Sequence, residues 1–361
     1  MNHWRHYWRG YFSALFILFS LGSLSNAEEA ALYDPAIHDR FDWWDDVDGF
    51  LDAQGRRALD LADKMLTKYP PQVPEPMERR MAFYLLDGVL HELKAPNREP
   101  VQAFLRHRVV KSIAEIQTMK AEEGALIWKL YNETFVIRTK SVTFAIDLVR
   151  ARLRDADGFG LSDELVIEIV DECDALFISH RHRDHADESV AQMFIDQGKP
   201  VVAPPEIWRG QAIHEKVTHL ERVPHRLHEL SIQSGRQQLK VVVYPGHQGS
   251  SIENNVPIIM TPEGLSFAHT GDQSNQDDFQ WIDEVHHRFE VDVLMPNCWT
   301  TDPLRLVGGF RPKLVIPGHE NEMGHTIDHR EPFWLTYNRF DGAPSELLVM
   351  GWGERFHYRR P

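Results

Sequence analysis

Within "SHRHRDHAD", residues 179–187, five side chains could ligate a metal: His180, His182, Asp184, His185 and Asp187. Imidazole nitrogens and carboxylate oxygens are the ligands that zinc and related divalent cations prefer. A His-x-His pair on a nearly extended loop can direct both rings the same way, and Asp184 and His185 can face that point as the loop turns back. Three more ligand-type residues each follow an apolar run and a nearby glycine: His247 in "VVVYPGHQG", Asp272 in "LSFAHTGDQ" and His319 in "KLVIPGHEN". Glycine lets the backbone approach a metal without a Cβ clash. A solvated surface cluster would not recur at four strand exits. Divalent cations held this way would activate water against a carbonyl or phosphoryl centre.

The elements that must carry these residues can be read from periodicity. From about residue 50 to 124 the period is helical: "DAQGRRALDLADKMLTKY" stops at "PPQVPEP", and "MERRMAFYLLDGVLHEL" and "PVQAFLRHRVVKSIAEIQTMKAEEG" follow. At about 126 the period changes to short β-branched runs, "LIWKLYN", "TFVIRT" and "SVTFAIDL". Helices at "SDELVIEIVDEC", "DESVAQMFIDQG" and "QDDFQWIDEVHHRF" then alternate with strands. The expected strands are "ALFIS", "KPVVAP", "LHELSIQ", "LKVVVYP", "VPIIMTP", "LSFAHTG", "VDVLMP", "KLVIPG", "SELLVMGW" and "ERFHYR". This pattern implies an α/β fold, mixed sheets with helices packed outside. The sites would then sit at strand carboxyl ends. His286 and His287, on the helix before "VDVLMP", read as surface residues.

The 361-residue chain carries a formal charge of −15, which disfavours a nucleic-acid partner. Residues 1–27 have the form of a signal peptide: Arg5 and Arg9, a 14-residue apolar run at 11–24, then small Ser25 and Ala27. The run is short of the roughly 20 residues that span a bilayer. Cleavage after Ala27 would leave an exported protein, periplasmic or secreted, with no stable transmembrane segment. Cys173 and Cys298 read as buried apolar residues rather than a disulfide scaffold. Residues 28–125 form an N-terminal helical region that covers the site or packs beside it.

His180-x-His182-x-Asp184-His185, followed in order by His247, Asp272 and His319, resembles the metallo-β-lactamase fold hydrolases. The resemblance covers residues 126–361 and implies an αββα sandwich of two mixed β-sheets. It implies that His180, His182 and His247 bind one divalent metal, that Asp184, His185 and His319 bind a second, and that Asp272 bridges them. Zinc is the expected metal, with manganese or iron as alternatives. Asp147 in "VTFAIDLVR" matches the family's acidic residue beneath the site. The bridging aspartate points to the lactonase and phospholipase-D-like branches rather than to true β-lactamases. A hydroxide between the metals would then attack a phosphodiester, lactone or carboxylic ester in a small-molecule or lipid-like substrate, with Asp184 orienting it. His325, in "PGHENEMGHTIDH", is the candidate proton donor, and Asn297 and Trp299 in "MPNCWT" are candidates to line the pocket. The alternative that the resemblance leaves open is a mononuclear iron persulfide dioxygenase.

Overall fold

A computed structural model describes residues 45–153, 156 and 158–360. The expected signal segment lies outside the described residues. The chain divides into two compact units, 1–50 and 51–361. Among the described residues, Asp45 to Phe50 belong to the first unit, including the start of helix α1 (Val47–Lys68).

Two mixed sheets pack face to face. One has six strands in the order β13-β1-β2-β3-β4-β5, the other seven in the order β12-β11-β10-β9-β8-β7-β6. In the first sheet these are β1 (Ala125–Tyr131), β2 (Thr134–Arg138), β3 (Thr143–Ile146), β4 (Ala175–Phe177), β5 (Val201–Val202) and β13 (Glu354–Tyr358). In the second they are β6 (Leu227–Ile232), β7 (Gln237–Gln248), β8 (Ile252–Met260), β9 (Ser266–His269), β10 (Val293–Met295), β11 (Leu314–Val315) and β12 (Glu346–Leu347). Their inner faces share one core, in which Phe144, Ile137 and Phe177 meet Val241, Phe267, Met295 and Ile316. Alternation along each strand sends the other residues outward to a helical layer.

On the outer face of the first sheet pack α1 from Leu51 onward, α2 (Met77–Leu90), α3 (Glu99–Thr118), α4 (Asp163–Glu172) and α5 (Glu188–Asp196). On that of the second pack α6 (Phe279–Ile282) and α7 (Pro303–Phe310). The result is the αββα sandwich expected from sequence. Two helices were not foreseen, α7 and α8 (Phe333–Arg339). The stretch "QDDFQWIDEVHHRF" is not one helix but a 3₁₀ turn, the four-residue α6 and a second 3₁₀ turn. His286 there is half-buried, with Nδ1 bonded to the Gly309 carbonyl at 3.0 Å, so it is not a free surface residue.

Helix ends are fixed locally. Ser162 Oγ accepts from Leu165 N at the start of α4, and Asp302 Oδ1 accepts from Arg305 N at the start of α7. Asp187 caps α5 through Ser189 N and Val190 N, and Arg150 grips it with bonds of 2.7 and 2.9 Å. Asp187 therefore ends the histidine-rich loop rather than serving it as a ligand.

The N-terminal helices are tied to the closing strand through buried charge. Arg79 of α2 makes a bidentate pair with Glu354 of β13, at 2.9 and 2.7 Å, with both side chains buried. Arg108 of α3 donates to the Trp352 carbonyl, and Ser112 to that of Gly353. Both cysteines are free and buried, and burial pushes the Cys173 thiol up to about 12. No helix among the described residues is long and apolar enough to cross a membrane.

Candidate metal centre

The parallel strands β3 and β4 of one sheet, and β9, β10 and β11 of the other, end at the same edge of the sandwich. Asp147 follows β3, the His180–His185 loop follows β4, Asp272 follows β9 and His319 follows β11. His247 differs from expectation in lying inside a strand, because β7 continues to Gln248 and pairs His247 with Glu253.

Asp272 sits at the centre of the cluster. Its Oδ2 lies 3.4 Å from His180 Nε2, while Oδ1 lies 3.4 Å from His185 Nε2 and 3.5 Å from His319 Nε2. Asp184 Oδ2 is 3.2 Å from His185 Nε2 and 3.5 Å from His319 Nε2. His180, His185, Asp272 and His319 are fully buried. Even so, the Nε2 atoms of all three histidines and Oδ1 of Asp272 have no hydrogen-bond partner. Buried polar atoms are ordinarily satisfied, and an unmatched one costs about 1–3 kcal/mol. Asp272 Oδ1 with His185 Nε2 and His319 Nε2, at 3.4–3.5 Å, and Asp272 Oδ2 with His180 Nε2, at 3.4 Å, have the spacing of ligand atoms set about 2.0–2.2 Å from a cation.

Outward-facing hydrogen bonds set the tautomers. Asp147 Oδ2 accepts from His185 Nδ1 at 2.7 Å and from Ser179 Oγ at 2.6 Å, and Oδ1 accepts from Ser179 N at 2.7 Å. With its proton committed, Ser179 Oγ can accept from His180 Nδ1 at 3.1 Å. Asp278 Oδ1 accepts from His247 Nδ1 at 2.8 Å, and Oδ2 from the His247 amide at the same distance. A proton held on Nδ1 leaves the Nε2 lone pair for a metal. Gly271, with φ of 47°, is obligatory here, because a Cβ would lie 2.4 Å from Ser179 and from Asn254 Oδ1. His319 is held at φ 74°, a conformation L residues rarely adopt.

In the metal-free protein protons take the place of cations. Burial alone would lower the His319 imidazole, but Asp272 and Asp184 raise it to about 10. His185 is likewise driven well above its ordinary value against burial, by Asp272 and Asp184. Burial lifts the Asp272 carboxyl to about 6. Asp184 is held well below the carboxylate range despite burial, by His185 and His319.

The remaining expected residues divide. His182 joins through its ring, 4.7 Å from that of His180. His247 is outside the tightest groups, though the adjacent Gln248 Nε2 donates to Asp272 Oδ2 at 2.9 Å. His325 lies close, its ring 5.3 Å from that of His319 and its ligand atom grouped with those of Asp184 and His319. Trp299 is half-buried with its ring edge-on to His319 at 5.7 Å. Asn297 corrects the expectation of a pocket residue. It is fully buried, and its amide donates to the Gly271 and Gln273 carbonyls, bracing the Asp272 turn.

A cavity of about 670 Å³ opens beside Asp184 and His325. Leu93, Pro96 and Asn97, between α2 and α3, form one wall, and Met323 to Ile327 form another. Arg330 joins the two, donating to the Leu90, Met323 and His325 carbonyls. Asp87 of α2 caps α8 at Phe333 N and Trp334 N and accepts from Asn321 Nδ2. The helical region thus packs beside the site and builds part of its pocket. Sequence reading missed this contribution, together with Asn132, Glu133, Ser179, His269 and Asp278, whose roles depend on partners distant in the chain.

No protein-family model and no curated protein matches the sequence. Solved structures do. Igni18, a metallo hydrolase from the hyperthermophilic archaeon Ignicoccus hospitalis, aligns with 66% of this chain and 99% of its own, at 16% identity and a TM-score of 0.51. The diiron β-hydroxylase CmlA of Streptomyces venezuelae aligns over 66% of this chain and 55% of its own (16% identity, TM-score 0.47). The isothiocyanate hydrolase from Delia radicum gut bacteria aligns over 65% and 100% (15% identity, TM-score 0.47). The likeness to Igni18 shows a shared fold, and the two mixed sheets with helices outside are the αββα sandwich that the motif order implied.

Proposed function

We propose that the protein is a metal-dependent hydrolase of ester-type bonds that holds two divalent cations, zinc by preference. His180, His182 and His247 would bind one and Asp184, His185 and His319 the other, with Asp272 between them. The observation that carries this reading is Asp272, which turns one carboxylate oxygen toward His180 and the other toward His185 and His319. Bound there, such cations would lower the pKa of water to about 7 and would polarise the scissile carbonyl or phosphoryl oxygen. Around them, Asp184 orients the attacking water by accepting its hydrogen bond, and His325 gives the leaving group its proton from the cavity wall. Asp147, Ser179 and Asp278 keep the ring nitrogens in the ligating tautomer. The substrate enters the cavity beside Asp184, a phosphodiester, lactone or carboxylic ester. Export from the cytoplasm rests on the residue pattern of 1–27.

The test is elemental analysis of protein purified without chelator, run beside hydrolysis of bis(p-nitrophenyl) phosphate and a simple lactone. About two zinc or manganese per chain and metal-dependent turnover are expected. One iron and no hydrolysis would replace the hydrolase with an iron dioxygenase. No metal after reconstitution would overturn the ligand assignment.

A further inference from the structure

Beneath the ligands lies a second buried cluster, in which Glu133, Asp147 and His269 bring ligand-type atoms within 4.8 Å of one another. It is not a further cation site. His269 Nε2 and Glu133 Oε2 are 2.6 Å apart, whereas two atoms bracketing a tetrahedral zinc would be separated by about 3.4 Å. Both Asp147 oxygens, moreover, are committed to Ser179 and His185. The cluster takes its meaning from the turn between β1 and β2, where Glu133 stands between Asn132 and Thr134. All three side chains are buried.

Each residue of this turn holds a different loop of the site. Asn132 Nδ2 donates to the Asp184 carboxylate at 3.3 Å, and the Asn132 carbonyl accepts from His319 N at 3.3 Å. Glu133 pairs with His269, whose Nδ1 accepts from Gly271 N at 3.1 Å, one residue before Asp272. The same carboxylate packs on Gly318, next to His319, so closely that a Cβ there would lie 3.0 Å from it. Thr134 Oγ1 donates to the carbonyl of Asp147, the residue that orients His185, at 2.6 Å. Three consecutive residues thus reach the Asp184–His185 loop, the Asp272 and His319 loops, and Asp147, which holds His185 from beneath.

We propose that Asn132, Glu133 and Thr134 act as one positioning element for the metal centre, fixing the mutual geometry of four ligands that arrive on three separate loops. The proposal rests on the metal-site reading above. Ligands on separate loops stay within productive geometry only when supporting contacts lock them, and loss of such a contact weakens metal binding roughly 10–100-fold. Asn132 suits its place twice over. Its φ of 49° favours Asn or Gly, and its amide offers Asp184 a donor without a charge.

The experiment compares wild type with Asn132→Asp, Asn132→Gly and Glu133→Gln. Zinc affinity is read by chelator competition, ligand geometry from the visible spectrum of the cobalt(II)-loaded protein, and folding from thermal unfolding of the metal-free protein. Asn132→Asp sets like charges against each other at Asp184, and with Glu133→Gln it should weaken zinc roughly 10–100-fold. Both should alter the cobalt spectrum and lower kcat more than they raise KM. Asn132→Gly keeps the backbone conformation and should show an intermediate loss with cooperative unfolding intact. Folded variants with wild-type zinc affinity and an unchanged cobalt spectrum would overturn the proposal. Should Glu133→Gln fail to fold, the two Asn132 variants decide it. A wild-type protein that binds no metal would instead bring down the underlying site reading.

Discussion

An Asp147→Asn substitution exchanges one oxygen for an amide nitrogen at a point where three hydrogen bonds converge. Asp147 Oδ1 takes Ser179 N–H, and Oδ2 takes both Ser179 Oγ–H and His185 Nδ1–H, all within 2.7 Å. Asparagine has one acceptor oxygen, so two arrangements compete. With the oxygen in the Oδ2 place, the new amide opposes Ser179 N–H and leaves buried donors unmatched, each costing about 1–3 kcal/mol. With the amide in the Oδ2 place, His185 must accept at Nδ1. Its proton then moves to Nε2, the atom 3.4 Å from Asp272, and that tautomer cannot ligate. The Asp147 φ of 46° is one that Asn tolerates, so the backbone survives the exchange. The expected result is a folded protein whose zinc affinity falls roughly 10–100-fold, about 1.4–2.8 kcal/mol, with hydrolysis restored only at raised zinc. Chelator competition and zinc-dependent turnover measure this directly. Wild-type affinity for both metals in a folded Asp147→Asn protein would refute the tautomer argument.

His325→Ala should cut turnover roughly 10²–10⁴-fold while leaving metal content intact, since its role is to donate a proton; unchanged turnover, or loss of a metal, would remove it from that role. In chelated protein the raised His319 pKa makes stability fully present below the unfolded value of about 6.5 and lost as pH rises through about 10. The raised Asp272 pKa acts in the same direction in a lower window, contributing below about 3.8 and losing its effect as pH rises through about 6. Thermal unfolding of metal-free protein should therefore move to lower temperature between pH 7 and 10, and zinc should flatten that slope. A constant midpoint across the range would contradict the proton-filled cluster.

Much of the site was legible because its signals are local. A buried strand followed by a turn and a histidine or aspartate occupies fewer than ten residues, and β4, β9 and β11 each end that way. The helical region was visible from period alone. What could not be read was any role defined by distant partners. Glu133 is a polar turn residue until His269 is placed beside it, and Asn297 looked like a pocket residue because nothing local reveals that Gly271 and Gln273 take its amide. Helix α8 has seven residues after Glu331-Pro332 and depends on Asp87 for its cap, so periodicity had little to work on. The stretch 276–289 carries a helical pattern but breaks into short turns.

The bonds from α2 and α3 to β13 also bear on how such a chain is made. Arg79 and Arg108 leave the ribosome early, yet their partners at Glu354 and Trp352 lie more than 240 residues downstream. Until those residues are synthesised, Arg79 must rely on the Tyr69 carbonyl and Glu75, and Arg108 on Asp63, and burying either guanidinium fully is costly. The first helices must stay solvated, or be shielded, while the sheets are still being translated. Closure of β13 onto β1 then completes the six-stranded sheet and the ion pair together. Docking of these helices is thereby deferred until β13 has been translated, with the apolar faces of α2 and α3 exposed meanwhile.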